Sequence, residues 1–281
     1  MVVLLSLGSA LAYGLSDFIG GLLSRRISPW SVAVVGQATA TVLTLGLTLV
    51  VSGEPTVSDW WWSALGGVGS GTGAAILYRG LGAGSMAVVA PVSALFAALV
   101  PVLVGVFTGE RPELLTWLGI MCALPAIWLV SLVEDHPDSG PAGRRRSAEL
   151  IDGILAGLGF GLLFAALGQV PEEAGFGPLA LTQAVAVVST IVLAIVLRAP
   201  WWPRDRSAAR ALSVGLLGTA ATAMFLLATQ TGLLTVAGVL SSLYPATTVL
   251  LAALVLHERI GRAQGIGLVL AVTAVALVAA G

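Results

Sequence analysis

The chain has 281 residues, is 57% hydrophobic, is only 10% charged and carries a formal net charge of −1. A soluble domain carries about a quarter charged residues, so there is too little charge here to coat a water-facing surface, and nothing in the balance favours nucleic acid. One cysteine, Cys122, rules out an intrachain disulfide, two histidines without cysteine partners give no metal spacing, and the chain has no phosphate-binding G-x-x-x-x-G-K-[ST] loop; neither a metal nor a cofactor is expected.

The first apolar run spans residues 2–23. No basic residue precedes it, it is too long for the apolar core of a signal peptide, and Arg25 and Arg26 follow it, so it reads as a membrane-spanning helix of about 20 residues. Within it, "AYGLSDFIGG" carries a lone charge, Asp17. Further runs follow at 29–51, 61–78, 86–107 and 115–132, then, after the polar stretch "EDHPDSGPAGRRRSAE", at 150–167, 177–197, 211–229, 236–256 and 263–280. Each is long enough to cross a bilayer with modest tilt. The run from Trp61 has the weakest apolar signal because of "GGVGSGTG", although glycine is tolerated in membrane helices that approach closely. Most tryptophans fall near run ends, as an interfacial belt would place them. The polar stretch reads as a linker (residues 134–148) between two halves, 1–133 and 149–281.

The halves share a pattern. "TGERPELLTWLGI" after the fourth run matches "LHERIGRAQGIGL" after the ninth, pairing Glu110 with Glu258, Arg111 with Arg259 and Gly119 with Gly267; the same offset pairs Ser93 with Ser241 and Phe96 with Tyr244. Five helices per half make the second half enter the membrane from the opposite side, which is the inverted repeat of many secondary transporters, with a solute site near mid-membrane between the halves. The expected fold is an all-α membrane protein of ten transmembrane helices, arranged as two inverted five-helix repeats.

These residues carry a family resemblance. Two five-helix halves, each with a "gE" turn followed by "..q..G", resemble the EamA domains of the drug/metabolite transporter superfamily. Pro245, Glu258, Gln264 and Gly267 in "SSLYPATTVLLAALVLHERIGRAQGIGL" stand where that pattern expects them, whereas Thr116 replaces the Gln in the first copy. The resemblance covers nearly the whole chain and implies a carrier of small metabolites with no ATP-binding part. It also implies cytoplasmic termini. The arginines say otherwise: all but Arg111 follow odd-numbered runs, so the positive-inside rule puts those gaps in the cytoplasm and both termini outside.

Few polar side chains remain inside the runs. Asp17 lies eight residues before Arg25, about 12 Å along a helix. A carboxylate deep in a span costs roughly 2.5–3.5 kcal/mol, so its expected role is a proton or cation site, or a contact for a basic group on the solute; the alternative is hydrogen bonding to Ser and Tyr neighbours. Tyr13 shares its helix face. Gln37, Gln183 and Gln230 are neutral partners for a solute, or bonds between helices. Pro91 and Pro101 in the fourth run and Pro245 in the ninth are read as paired interruptions, the last freeing the Ser241 carbonyl, with Ser93, Phe96, Ser241, Ser242 and Tyr244 around them. The candidate solute-binding set is therefore Tyr13, Asp17, Gln37, Ser93, Phe96, Gln183, Gln230, Ser241, Tyr244 and Pro245. Arg79 is read as an interfacial charge, and Glu110 and Glu258 as residues that hold turns. The spacings Gly67/Gly71, Gly69/Gly73, Gly157/Gly161 and Gly261/Gly265 read as packing seams within the chain or, equally, as a dimer seam.

The leading functional reading is a non-enzymatic secondary transporter of the inner or plasma membrane that moves a small metabolite or drug-like solute by alternating access, with proton coupling through Asp17. Its partners would be that solute and the lipid bilayer, and the chain would act as a monomer or homodimer. The alternative is an intramembrane enzyme acting on a lipid-linked substrate, which would need clustered acid, base or metal groups near one interface; here the polar residues are scattered singly.

Overall fold

The computed structural model describes residues 1–82, 86–132, 142–204, 206–255 and 260–281. Among these there is no strand. The helices are α1 (Val2–Ser24), α2 (Pro29–Thr48), α3 (Val57–Gly82), α4 (Met86–Phe107), α5 (Leu114–Ser131), α6 (Ala142–Leu167), α7 (Gly177–Val196), α8 (Ala211–Thr231), α9 (Leu234–Ser241), α10 (Tyr244–Val255) and α11 (Arg262–Ala280). Eight helical stretches, with α9 and α10 counted as one, are long and apolar enough to cross a membrane; helices suit that role because they satisfy every backbone polar group internally. The other two long helices are α3, which glycine dilutes, and α4, which is apolar along its length. The Glu258–Arg259 pair, residue 133 and residues 134–141 of the linker lie outside the described residues.

Local chemistry sets the boundaries. Pro29 opens α2 and Pro178 stands in the first turn of α7, where a missing N–H costs nothing. At the start of α3, Asp59 Oδ2 accepts hydrogen bonds from Thr56 N (2.7 Å) and Thr56 Oγ1 (2.8 Å), a capping arrangement that starts this helix four residues ahead of the apolar run. Gln264 in the first turn of α11 reaches back to accept from Gly261 N at 2.9 Å. After α4, Gly109 adopts φ +103°, a conformation that side chains disfavour, and so turns the chain at "TGER". Adding 148 to the bounds of α2 and α4 gives those of α7 and of the α9–α10 pair, and α5 and α11 start at the same offset.

The main packing runs between the first five helices and the rest. α3 lies against α6 and α7, α8 against α1 and α2, α4 against α6 and α9, and α5 against α11. Glycines make the crossings of α3 and α6 close. A Cβ on Gly69 would stand 2.5 Å from the Gly159 carbonyl oxygen, one on Gly71 2.2 Å from that of Ala186, and one on Gly157 2.5 Å from that of Ser93. Among the described residues Gly261 and Gly265 form no seam within the chain: a Cβ on Gly265 meets nothing within 4 Å, and Gly261 is the cap of α11.

Contacts define two ends. At one, Ser28 bonds the Pro200 carbonyl, Ser31 bonds that of Trp201 at 3.1 Å, and Arg79 on α3 pairs with Asp152 on α6. Arg25, Arg26, Arg198, Arg210 and Arg262 sit at helix termini on this side. At the other end, Glu54 N donates to Glu173 O (2.8 Å), and the Glu110 carboxylate accepts from Leu234 N (2.5 Å) and Thr235 N (2.9 Å), the first N–H groups of α9. Glu110 thus holds more than its own turn: it clamps a helix 124 residues further along.

The ninth apolar run is broken rather than kinked. α9 stops at Ser241 and α10 starts at Tyr244, so Pro245 falls in a first turn, where its missing N–H is no loss. α4, by contrast, runs unbroken through Pro91 and Pro101. The interruption is therefore one-sided.

Candidate functional site

Between α1, α2 and α3 on one side and α6, α7 and α8 on the other lies a cavity of about 50 Å³, room for about four waters. Its polar and aromatic lining includes Tyr13, Asp17, Gln37, Tyr78, Phe160 and Gln183. Helical spacing assembles it: Tyr13, Ser16 and Asp17 share one face of α1, and Ser70, Ala74 and Tyr78 one face of α3. Gly218 on α8 leaves open space, since a Cβ there meets nothing within 4 Å.

Asp17 is half-buried. Among the described residues no hydrogen bond or ion pair engages its carboxylate. The chain has three tyrosines, and all three, Tyr13, Tyr78 and Tyr244, lie within electrostatic reach of it. Tyr78 stands beside Ser16; the buried Tyr13 hydroxyl has no hydrogen-bond partner. Gln183 Nε2 donates to Thr222 Oγ1 at 3.0 Å, and Gln37 Nε2 to Ser70 Oγ at 3.3 Å, which leaves both amide oxygens as acceptors.

Aromatic rings close the side away from the arginines. Tyr13 meets Phe164 edge-on at 5.7 Å, Phe164 stacks on Phe225 at 4.3 Å, and Tyr244 backs Tyr13 at 6.3 Å. Phe164 and Phe225 are fully buried. On the arginine side, the Arg79–Asp152 pair ties α3 to α6, so Arg79 is bonded within the protein rather than only resting at an interface.

The structure brings together Tyr13, Asp17, Gln37 and Gln183 of the expected set. Ser93, Ser241, Tyr244 and Pro245 lie instead at the α9–α10 break, where Tyr244 Oη and Ser93 Oγ are 3.4 Å apart and Ser241 Oγ donates to Ser6 O at 3.4 Å; Phe96 packs on Gly157 of α6. Gln230 lies at the far end of α8, donating to the carbonyls of Val170 and Pro171. The lining residues the sequence reading passed over are Ser16, Ser70, Tyr78, Phe160 and Thr222. Among the described residues, no group of three or more His, Cys, Asp or Glu side chains could hold a metal.

The profile of the EamA-like transporter family matches the chain twice, over residues 1–132 and 149–280. The chain belongs to the EamA-like transporter family. It is accordingly a multi-pass membrane protein of the drug/metabolite transporter superfamily, a group of carriers for small solutes. A protein of known crystal structure matches 98% of this EamA-like chain and 95% of its own, with a TM-score of 0.69 and 18% identity; at that identity the likeness speaks for the fold alone. A comparison with curated proteins finds no match.

Proposed function

We propose that this EamA-like protein is a secondary transporter of the inner or plasma membrane that moves a small metabolite or drug-like solute through the cavity around Asp17 by alternating access, with Asp17 taking up and releasing a proton during the cycle. The observation that carries the reading is a carboxylate without a partner, in a polar cavity where helices from both family repeats meet. Intramembrane carboxylates of this kind mark solute and proton pathways. The helix boundaries that recur at an offset of 148 support two inverted five-helix halves, residues 1–133 and 149–281 joined by 134–148, with α3 and α4 completing ten spans. Tyr13, Asp17, Gln37 and Gln183 are the residues proposed to touch the solute; Ser93, Phe96, Ser241, Tyr244 and Pro245 are proposed to move with the α9–α10 break, and Gln230 to hold the far end shut.

The cavity of about 50 Å³ is well below the roughly 300–1,000 Å³ of ordinary ligand pockets. The solute therefore needs the helices to part, and the aromatic layer on one side and the Arg79–Asp152 pair on the other are the contacts that alternate. Gly218→Leu tests the route. Its Cβ enters open space and the rest of the side chain fills the cavity, so folded yield should stay near wild type, while solute flux in proteoliposomes should fall at least tenfold. Undiminished flux through a folded Gly218→Leu protein would move the pathway elsewhere.

A further inference from the structure

We infer that the transported solute is an organic monocation, an amine or quaternary ammonium, held by the Asp17 carboxylate and the tyrosine rings around it. The inference rests on the transport route proposed above. Among the described residues, Asp17 is the one charged side chain in the cavity lining. An anion there would face a like charge in a medium of low dielectric, and a zwitterion would bring a carboxylate for which the lining offers no basic partner. A cation meets the reverse. Tyr13, Tyr78 and Phe160 present rings to the cavity, and Tyr244 backs Tyr13; aromatic faces around a carboxylate are the recurring means of holding ammonium groups. Each glutamine amide donates to a neighbouring helix, Gln183 to Thr222 and Gln37 to Ser70, which leaves both amide oxygens able to accept from an amine N–H. The lining is aromatic and singly negative.

The same carboxylate then binds either a proton or the cation, and that competition opposes the two fluxes. Among the described residues of the helices packed against α1, nothing else titrates in a way that would mimic it. α2, α8 and α9 carry no titratable side chain. α3 contributes Tyr78, with Arg79 beyond it engaged by Asp152 and Asp59 at its opposite end capped by Thr56. α10 contributes Tyr244, α1 itself Tyr13 and α11 only Arg262 at its first residue.

The test uses the purified full chain in proteoliposomes with benzyltrimethylammonium and choline as cations, 3,3-dimethyl-1-butanol as the uncharged isostere of choline, benzoate as anion and glycine betaine as zwitterion. At least one cation should show saturable, protein-dependent uptake. Its apparent KM should rise by up to about tenfold per unit fall in pH once the carboxyl protonates, and that pH dependence should vanish in Asp17→Asn. Tyr78→Phe, which keeps the ring, should retain cation affinity, whereas Tyr78→Leu should lose at least fivefold; a role for the hydroxyl alone would weaken both variants alike. If the protein carries betaine, benzoate or the alcohol and cations do not compete, the inference falls while the transporter reading stands. If cations do not bind at millimolar concentration the inference also falls, and if no probe moves at all the transport reading beneath it goes with it.

Discussion

Asp17→Asn is expected to fold as well as the wild type and to lose gradient-driven transport. The two halves of that expectation come from the same observation. Asp17 sits in a spanning helix with no hydrogen bond or ion pair on its carboxylate among the described residues, so no native contact is lost when the charge goes. Asn stays polar but carries no charge, so it costs no more to insert than Asp, whose cost at a helix centre is roughly 2.5–3.5 kcal/mol, and folded yield should be equal or higher. A group that costs stability and makes no structural contact is retained for function. In proteoliposomes the rate driven by an imposed pH gradient should drop at least tenfold in Asp17→Asn. Exchange of solute without a gradient should persist once its concentration is raised to offset weaker binding. Asp17→Glu, which keeps an exchangeable proton on a longer arm, should retain part of the gradient response. Gradient-driven transport unchanged in Asp17→Asn would leave Asp17 with no coupling role.

Glu110→Ala is expected to destabilise the protein by about 3 kcal/mol. The Glu110 carboxylate accepts from the backbone N–H groups of Leu234 and Thr235, and charge-assisted bonds contribute about 1.5–3 kcal/mol each, with a further 0.3–1 kcal/mol from the helix terminus; neighbouring water recovers part of the total. α9 has only eight residues, too few to hold itself without an end cap and tertiary contacts. A lower melting temperature and a lower yield of monodisperse protein are the readouts. Glu110→Gln keeps one acceptor oxygen and should recover about half of the loss. Because the clamp joins the end of α4 to the start of α9, its loss should also raise labelling of cysteines placed at this end. A Glu110→Ala protein as stable as wild type would show that the clamp contributes nothing.

The fold was legible where helices are apolar throughout. α2, α4, α7 and α11 start within a residue of the apolar runs, because the bilayer demands continuous apolar stretches. α3 was read short at both ends, since its start depends on the Thr56–Asp59 cap and its end lies past Arg79, a charge that looked like a boundary and is instead paired with Asp152. The break between α9 and α10 carries no apolar signature, and a proline alone does not say whether a helix bends or stops. In the site, Asp17, Gln37 and Gln183 were legible because charged and amide groups are conspicuous in an apolar run, and Tyr13 through its spacing from Asp17. Ser16, Ser70 and Thr222 were not, as hydroxyls in membrane helices usually bond their own backbone, and the sequence does not say which face each helix turns inward. Tyr78 was hidden by its place at an apparent run end. The link between Glu110 and α9 spans 124 residues and has no local trace beyond the recurrence of "GER" and "HER".

Alternating access to the Asp17 cavity is most directly measured with a single cysteine in it. In a Cys122→Ala background, Gly218→Cys places a thiol on the cavity wall without steric cost, and proteoliposomes of known orientation allow a membrane-impermeant thiol reagent to be added from either side. Labelling from both sides, with the balance between them shifted by solute or by a pH gradient, is the result expected of a transporter. Labelling from one side alone, under every gradient and with every solute that binds, would contradict it and describe a one-sided pocket.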